Sequence, residues 1–140
     1  TWSQIAEMTD SRLVSVGGHT HNHAILATCD EDQMRDELQT STEVIRRRLR
    51  LDRIPFCYPN GERGDFNELS RRVIRALGYT CALTAVPGFN DSKADPFELR
   101  RFACGKDARK LALNLSGATE FIGSFRNRGP RIRGPRSRNG

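Results

Sequence analysis

Apolar positions recur along this chain at two spacings that alternate from one end to the other. Trp2, Ile5, Ala6 and Met8 fall at helical spacing behind the capping residue Thr1 and predict a short opening helix over residues 1–8. Leu13, Val14 and Val16 form a brief apolar run that predicts a strand, ended by Gly17 and Gly18, where the backbone can turn sharply. Asp30 reads as the N-cap of a long helix reaching about Leu51. Met34, Leu38, Ser41, Ile45 and Leu49 keep one face of it. Glu31 and Asp32 suit the positive end of its dipole, and Arg46, Arg47, Arg48 and Arg50 the negative end, so this arginine run reads as a solvated helix terminus.

The alternation continues. Residues 54–58 form a second strand, broken by the turn residues Pro59, Asn60 and Gly61. Leu69, Val73, Ile74 and Leu77 give a helix from about Phe66, with Gly78 as its stop. A strand at 79–85, a loop at 86–90, a strand at 99–104 and a last helix over 106–115 complete the series. Helices and strands in alternation imply α/β architecture: parallel strands with helices packed outside, as an open sheet or a barrel.

Size and charge alter this picture only at the C-terminus. The 140 residues suffice for one domain with a single core. The chain opens on Thr1 rather than methionine and is expected to continue upstream. No apolar run approaches the length of a membrane span. Bacterial cell envelope and cytoplasm are equally open as locations. The net charge of +6 suggests an anionic partner until it is divided along the sequence. Six of the 23 Lys and Arg residues lie in residues 126–140, which hold no acid, so the first 125 residues carry 17 cationic and 17 acidic groups. The body is neutral. The Arg/Gly/Pro-rich stretch 126–140 has almost nothing to bury and is expected to be a disordered tail, the chain's one route to nucleic acid or another polyanion.

Candidate chemistry gathers in one place. The four cysteines, Cys29, Cys57, Cys81 and Cys104, never form Cys-x-x-Cys and are expected as free thiols beside strands. All three histidines, by contrast, fall in His19-Thr20-His21-Asn22-His23, at the carboxyl end of the first strand, where α/β proteins place their sites. His19 and His23 stand four apart, so on one helical turn both rings share a face and reach one zinc-type ion, while His21 points elsewhere. An extended segment would instead pair His19 with His21, or His21 with His23. Two nitrogens still need a third ligand and an open position before bound water is activated, and no later histidine exists. A carboxylate must complete the set. Parallel strands ending on one rim would make the Tyr58-Pro59-Asn60-Gly61 turn a neighbour of this loop.

These residues resemble two motifs of the polysaccharide deacetylases, the carbohydrate esterase family with the NodB-homology domain. His19-Thr20-His21-Asn22-His23 is similar to the family's His-(Ser/Thr)-x-x-His, and Phe56-Cys57-Tyr58-Pro59-Asn60-Gly61 to its Phe-Arg-x-Pro-x-Gly, with one long helix between. The resemblance covers roughly residues 1–117, the later part of the domain. It implies a partial distorted (β/α) barrel over residues 1–125. It also implies removal of N-acetyl or O-acetyl groups from a polysaccharide, typically one containing N-acetylglucosamine, by a divalent metal: zinc foremost, with cobalt or nickel also accommodated. On it, His19 and His23 are metal ligands, Thr20 braces the loop behind them, the backbone N–H of Tyr58 stabilises the oxyanion, and Pro59, Asn60 and Gly61 face the substrate. The sequence departs from the family at three points: nothing before His19 matches the Asp-Asp motif, Cys57 replaces the usual Arg, and no Leu-x-x-His follows. The chain by itself is therefore expected not to turn over substrate, and a catalytically inactive metal- or carbohydrate-binding domain of the same fold is the alternative. Open sheet edges are expected to favour self-association.

Overall fold

A computed structural model describes residues 1–104 and 107–117; the 126–140 tail lies outside the described residues. Two compact units divide at residue 104, Thr1–Ala103 and Cys104–Gly140. In the first unit, α1 (Trp2–Asp10) starts at a capping box in which the Thr1 hydroxyl accepts from the Gln4 N–H. It lies against α2 (Glu31–Leu49). Asp30 caps α2 through the Gln33 N–H at 2.8 Å, and Arg50 closes it in the left-handed region at φ 54°. The face read from sequence is the buried one: Met34, Leu38, Ser41, Thr42 and Ile45 point inward. Truncating Met34, which is fully buried, to Ala would cost about 2–5 kcal/mol.

The strands are shorter than their apolar runs. β1 is Phe56–Cys57 and β2 is Ala82–Leu83, paired in parallel. Single parallel bridges extend the sheet on both sides, from Gly18 to Phe56 and from Leu83 to Leu99. Four chain segments thus lie side by side in the order expected for the wall of a parallel barrel. The strand expected over Leu13–Val16 does not form, and only the Gly18 bridge survives of it. No strand pairs along that segment among the described residues: Val16 packs against the core, while Leu13 is 89% exposed and Val14 41%.

Between β1 and β2 runs α3 (Glu68–Ala76), capped by Asn67 and followed by Gly78 at φ 80°. It packs on α2. Phe56, Ala82 and Tyr58 turn toward these helices and are buried with Leu38, Val73 and Ile74. Tyr79 ties the layers together, since its hydroxyl donates to the Leu38 carbonyl at 3.2 Å and accepts from the Thr42 hydroxyl at 2.5 Å. A side chain at Gly18 would meet the Tyr79 ring at 2.8 Å, which is why the histidine loop leaves the sheet from a glycine. Beyond β2, Arg75 pairs with Asp95 at 2.5 Å and Arg71 with Glu98 at 2.7 Å, fastening the 86–98 loop to α3. Burial works against ionising Asp95, but the Phe97 N–H and the Arg75 guanidinium outweigh it and hold its carboxyl below the usual range. The second unit contributes α4 (Ala108–Leu115), capped by Asp107. None of the four cysteines is in a disulfide.

Candidate metal centre

The loop after Gly18 is not a helical turn. Thr20 and His23 both occupy the left-handed region, at φ 59° and 61°, a conformation sparsely used outside glycine and Asn/Asp. These two reversals, rather than a 3.6-residue period, fold the loop so that the His19 and His23 rings meet edge to face with centroids 4.9 Å apart. The pair expected from sequence is therefore brought together, by a different backbone route.

The tautomer of His19 follows from its partner. Its Nδ1 lies 2.7 Å from the Cys57 carbonyl, which can only accept, so Nδ1 carries the proton and the neutral ring presents the Nε2 lone pair. A carbonyl behind a ligating imidazole is the usual way such a ring is aimed. Thr20, by contrast, is only 8% exposed, and its hydroxyl finds no partner among the described residues. Buried hydroxyls are normally paired. Two adjacent imidazoles, one with a fixed tautomer, suit a borderline ion such as zinc as part of a ligand set. Among the described residues, no group of three or more His, Cys, Asp or Glu stands together to complete it.

Glu37, on α2, escaped the sequence reading. Its Oε2 accepts from the N–H groups of His21 and Asn22, both at 2.8 Å, and its Oε1 accepts from the Asn22 side-chain amide at 2.7 Å. Burial opposes ionisation of Glu37, yet the bonds from Asn22 and His21 prevail and hold its carboxyl below the ordinary value. The only local signal was its place between the inward residues Met34 and Leu38. His21 thus serves through its backbone.

The Tyr58–Gly61 turn begins one residue after the carbonyl that holds His19. The N–H of Tyr58 donates to the Leu83 carbonyl at 3.1 Å, so it belongs to the sheet and is not free to meet an oxyanion, which corrects the expectation from sequence. Its ring is buried, stacked on Phe66, and its hydroxyl donates to the Phe97 carbonyl. Burial also pushes the Tyr58 hydroxyl pKa well up. Pro59 has no N–H, and that of Gly61 turns back onto the Pro59 carbonyl at 2.6 Å. Asn60, exposed and at φ 55°, is left as the turn residue whose N–H has no acceptor among the described residues. Beside His19 opens a cleft of about 250 Å³, walled by Pro55, Cys57 and Leu83 and reached by Arg101.

Parallel strands under outer helices, with two imidazoles on a loop at the sheet's carboxyl rim, define a partial (β/α) barrel. The sequence pattern of the family described as polysaccharide deacetylase matches residues 1–82, and the chain belongs to that family. Among solved structures it is similar to the Streptococcus pyogenes deacetylase PplD in complex with acetate. That match has a TM-score of 0.65 at 23% identity and covers 73% of this chain and 43% of that one. It is also similar to IcaB from Ammonifex degensii, with a TM-score of 0.68 at 22% identity, covering 80% and 51%. A third is a mutant, with restored enzymatic activity, of a CE4 family pseudoenzyme from Bacillus anthracis, with a TM-score of 0.53 at 16% identity, covering 85% and 48%. At these identities the likeness speaks for the fold. The chain spans about half the length of these structures. No curated protein matches it. No helix among the described residues is long and apolar enough to cross a membrane.

Proposed function

We propose that this chain carries the histidine half of a hydrolase that removes N-acetyl or O-acetyl groups from a polysaccharide, N-acetylglucosamine polymers being the first to test. The observation that carries this reading is the His19–His23 pair at 4.9 Å, with the tautomer of His19 set by the Cys57 carbonyl. His19, through Nε2, and His23 would hold a divalent ion, with zinc the leading candidate and cobalt or nickel as substitutes. When bound, such an ion polarises an acyl carbonyl and lowers the pKa of a water molecule. The protein's own part is positional. Glu37 holds the loop closed, Thr20 backs it, and the Asn60 N–H takes over from Tyr58 as the donor offered to a developing oxyanion. Pro59 and Gly61 shape the turn on which a sugar would rest.

The second reading is a metal- or carbohydrate-binding domain without catalysis. It is favoured by the lack of a three-ligand group among the described residues.

Acetate release from N-acetylglucosamine oligomers, with zinc or cobalt added, separates the two. We expect the 140-residue chain to bind zinc without robust turnover, and the same chain joined to an upstream strand ending in paired aspartates to release acetate in a metal- and His19-dependent way. An extended chain that binds zinc and stays inert would leave the binding domain as the function.

A further inference from the structure

The far end of α2 gathers charge that the rest of the helix balances. Arg46, Arg47, Arg48, Arg50 and Arg53 are all exposed, and Asp52 is the one acid among the positions they span. They fan out across three helices. Arg46 leans toward Gly78, just past α3, where an added Cβ would meet its Nη2 at 3.9 Å. Arg48 leans the other way, its guanidinium over the Trp2 ring of α1 at 5.8 Å. Helical spacing turns Arg47 and Arg50 outward between them. Because α2 packs on both α1 and α3, the helices that frame this surface are already in place around it.

A helix dipole favours cations in the last turn, but Arg50 is already left-handed at φ 54° and Arg53 lies beyond the helix, so the dipole does not account for the whole set. Other arginines of α2 and α3 are matched: Arg35 pairs with Glu31, Arg71 with Glu98 and Arg75 with Asp95. Among the described residues no ion pair joins any of these five to a carboxylate. Like charges this close repel one another, and an anionic surface relieves that repulsion. Two features choose the kind of surface. The five are gathered at one helix end rather than strung along a groove, which suits a sheet of headgroups better than a strand of nucleic acid that needs a track. Apolar side chains stand beside them: Trp2, the chain's only tryptophan, is 39% exposed and Met8 on the same helix 46%, and indole rings settle at the boundary between headgroups and acyl chains. A hollow of about 520 Å³, lined by Thr40, Glu43, Val44, Arg46 and Arg47, has room for one headgroup. Glu43 is its one carboxylate.

We propose that the arginine end of α2, with Trp2 beside it, docks the protein on an anionic lipid surface. Glu37, which grips the histidine loop, stands thirteen residues before Arg50, or roughly 20 Å along the helix, so a docked chain keeps that loop clear of the lipid. The proposal is independent of whether the histidine pair hydrolyses anything. The full 140-residue chain is mixed with vesicles of phosphatidylcholine alone or with roughly a third phosphatidylglycerol, and Trp2 emission is followed together with vesicle co-sedimentation. Anionic vesicles should shift the emission to the blue, brominated acyl chains should quench it, and raised salt should reverse both; neutral vesicles should do neither. Arg47→Gln with Arg50→Gln should weaken vesicle binding on the order of tenfold or more, with the thermal midpoint unchanged, whereas Arg136→Gln with Arg138→Gln, an equal loss of charge in the tail, should weaken it about twofold or less. Glu43→Gln should tighten binding. The proposal is overturned if the two double variants lose binding equally, if Trp2 emission does not move on anionic vesicles, or if a single-stranded oligonucleotide displaces the chain from them at equal phosphate.

Discussion

Glu37 grips Asn22 at two points, Oε2 on its backbone N–H at 2.8 Å and Oε1 on its side-chain amide at 2.7 Å. With the His21 N–H also on Oε2, one carboxylate from α2 satisfies three donors of the loop that carries the histidine pair. The loop needs such a clamp because two of its residues sit at positive φ without being glycine.

Replacing Glu37 by Gln puts an amide donor against backbone donors and removes the charge. Stability should fall by about 1–2 kcal/mol and zinc affinity about tenfold, read by urea unfolding and by metal titration. Because the folded-state pKa of Glu37 lies below its ordinary 4.5, its contribution is full above that value and is lost as pH falls through the lower one. The parent's stability should therefore drop more steeply on the acid side of 4.5 than that of Glu37→Gln. Parallel acid limbs would show that the carboxylate does not hold the loop.

The three histidines should separate cleanly. His19→Ala and His23→Ala should each abolish stoichiometric zinc or cobalt binding, since their rings face each other at 4.9 Å. His21→Ala should retain it, because Glu37 holds residue 21 by its backbone. Equal loss in all three, measured by calorimetry, would defeat the assignment.

Gly61 has φ 80°, and a Cβ there would stand 2.8 Å from the Ala85 nitrogen, which itself donates to the Gly61 carbonyl at 2.8 Å. Gly61→Ala combines backbone strain with a clash against main chain that cannot swing aside. A loss of roughly 1–3 kcal/mol is expected in chemical unfolding. A neutral result would mean that the turn can relax away from β2.

Leu13 is 89% exposed and Val14 41%, on a segment that, among the described residues, joins the sheet only through Gly18. Unpaired backbone beside exposed apolar side chains is a template for pairing with another chain. Sedimentation velocity should show concentration-dependent association, reduced by Leu13→Lys. A chain that stays monomeric as concentration rises would show that this edge is protected.

What the sequence determined by itself was local. The capping residues Thr1 and Asp30, the buried stripe of α2, the stop at Gly78 and the Pro59–Gly61 turn each depend on residues within a few positions of one another, and the structure has them where the pattern placed them. The pairing of His19 with His23 was also legible, although the helical turn invoked for it was not the cause: two left-handed residues bend the loop instead. What only tertiary structure decided concerns partners far apart in the chain. Whether Leu13–Val16 becomes a strand depends on a neighbour on its open side. Whether the Tyr58 N–H is free depends on Leu83, 25 residues away, which claims it. Glu37 was one more polar residue on a helix until the fold laid Asn22 over it, and Arg48 one of a run of arginines until the fold set Trp2 beneath it. A hydrogen bond or a ring contact joins positions that no sequence period connects, because the chain path between them, rather than the spacing along it, brings the atoms together.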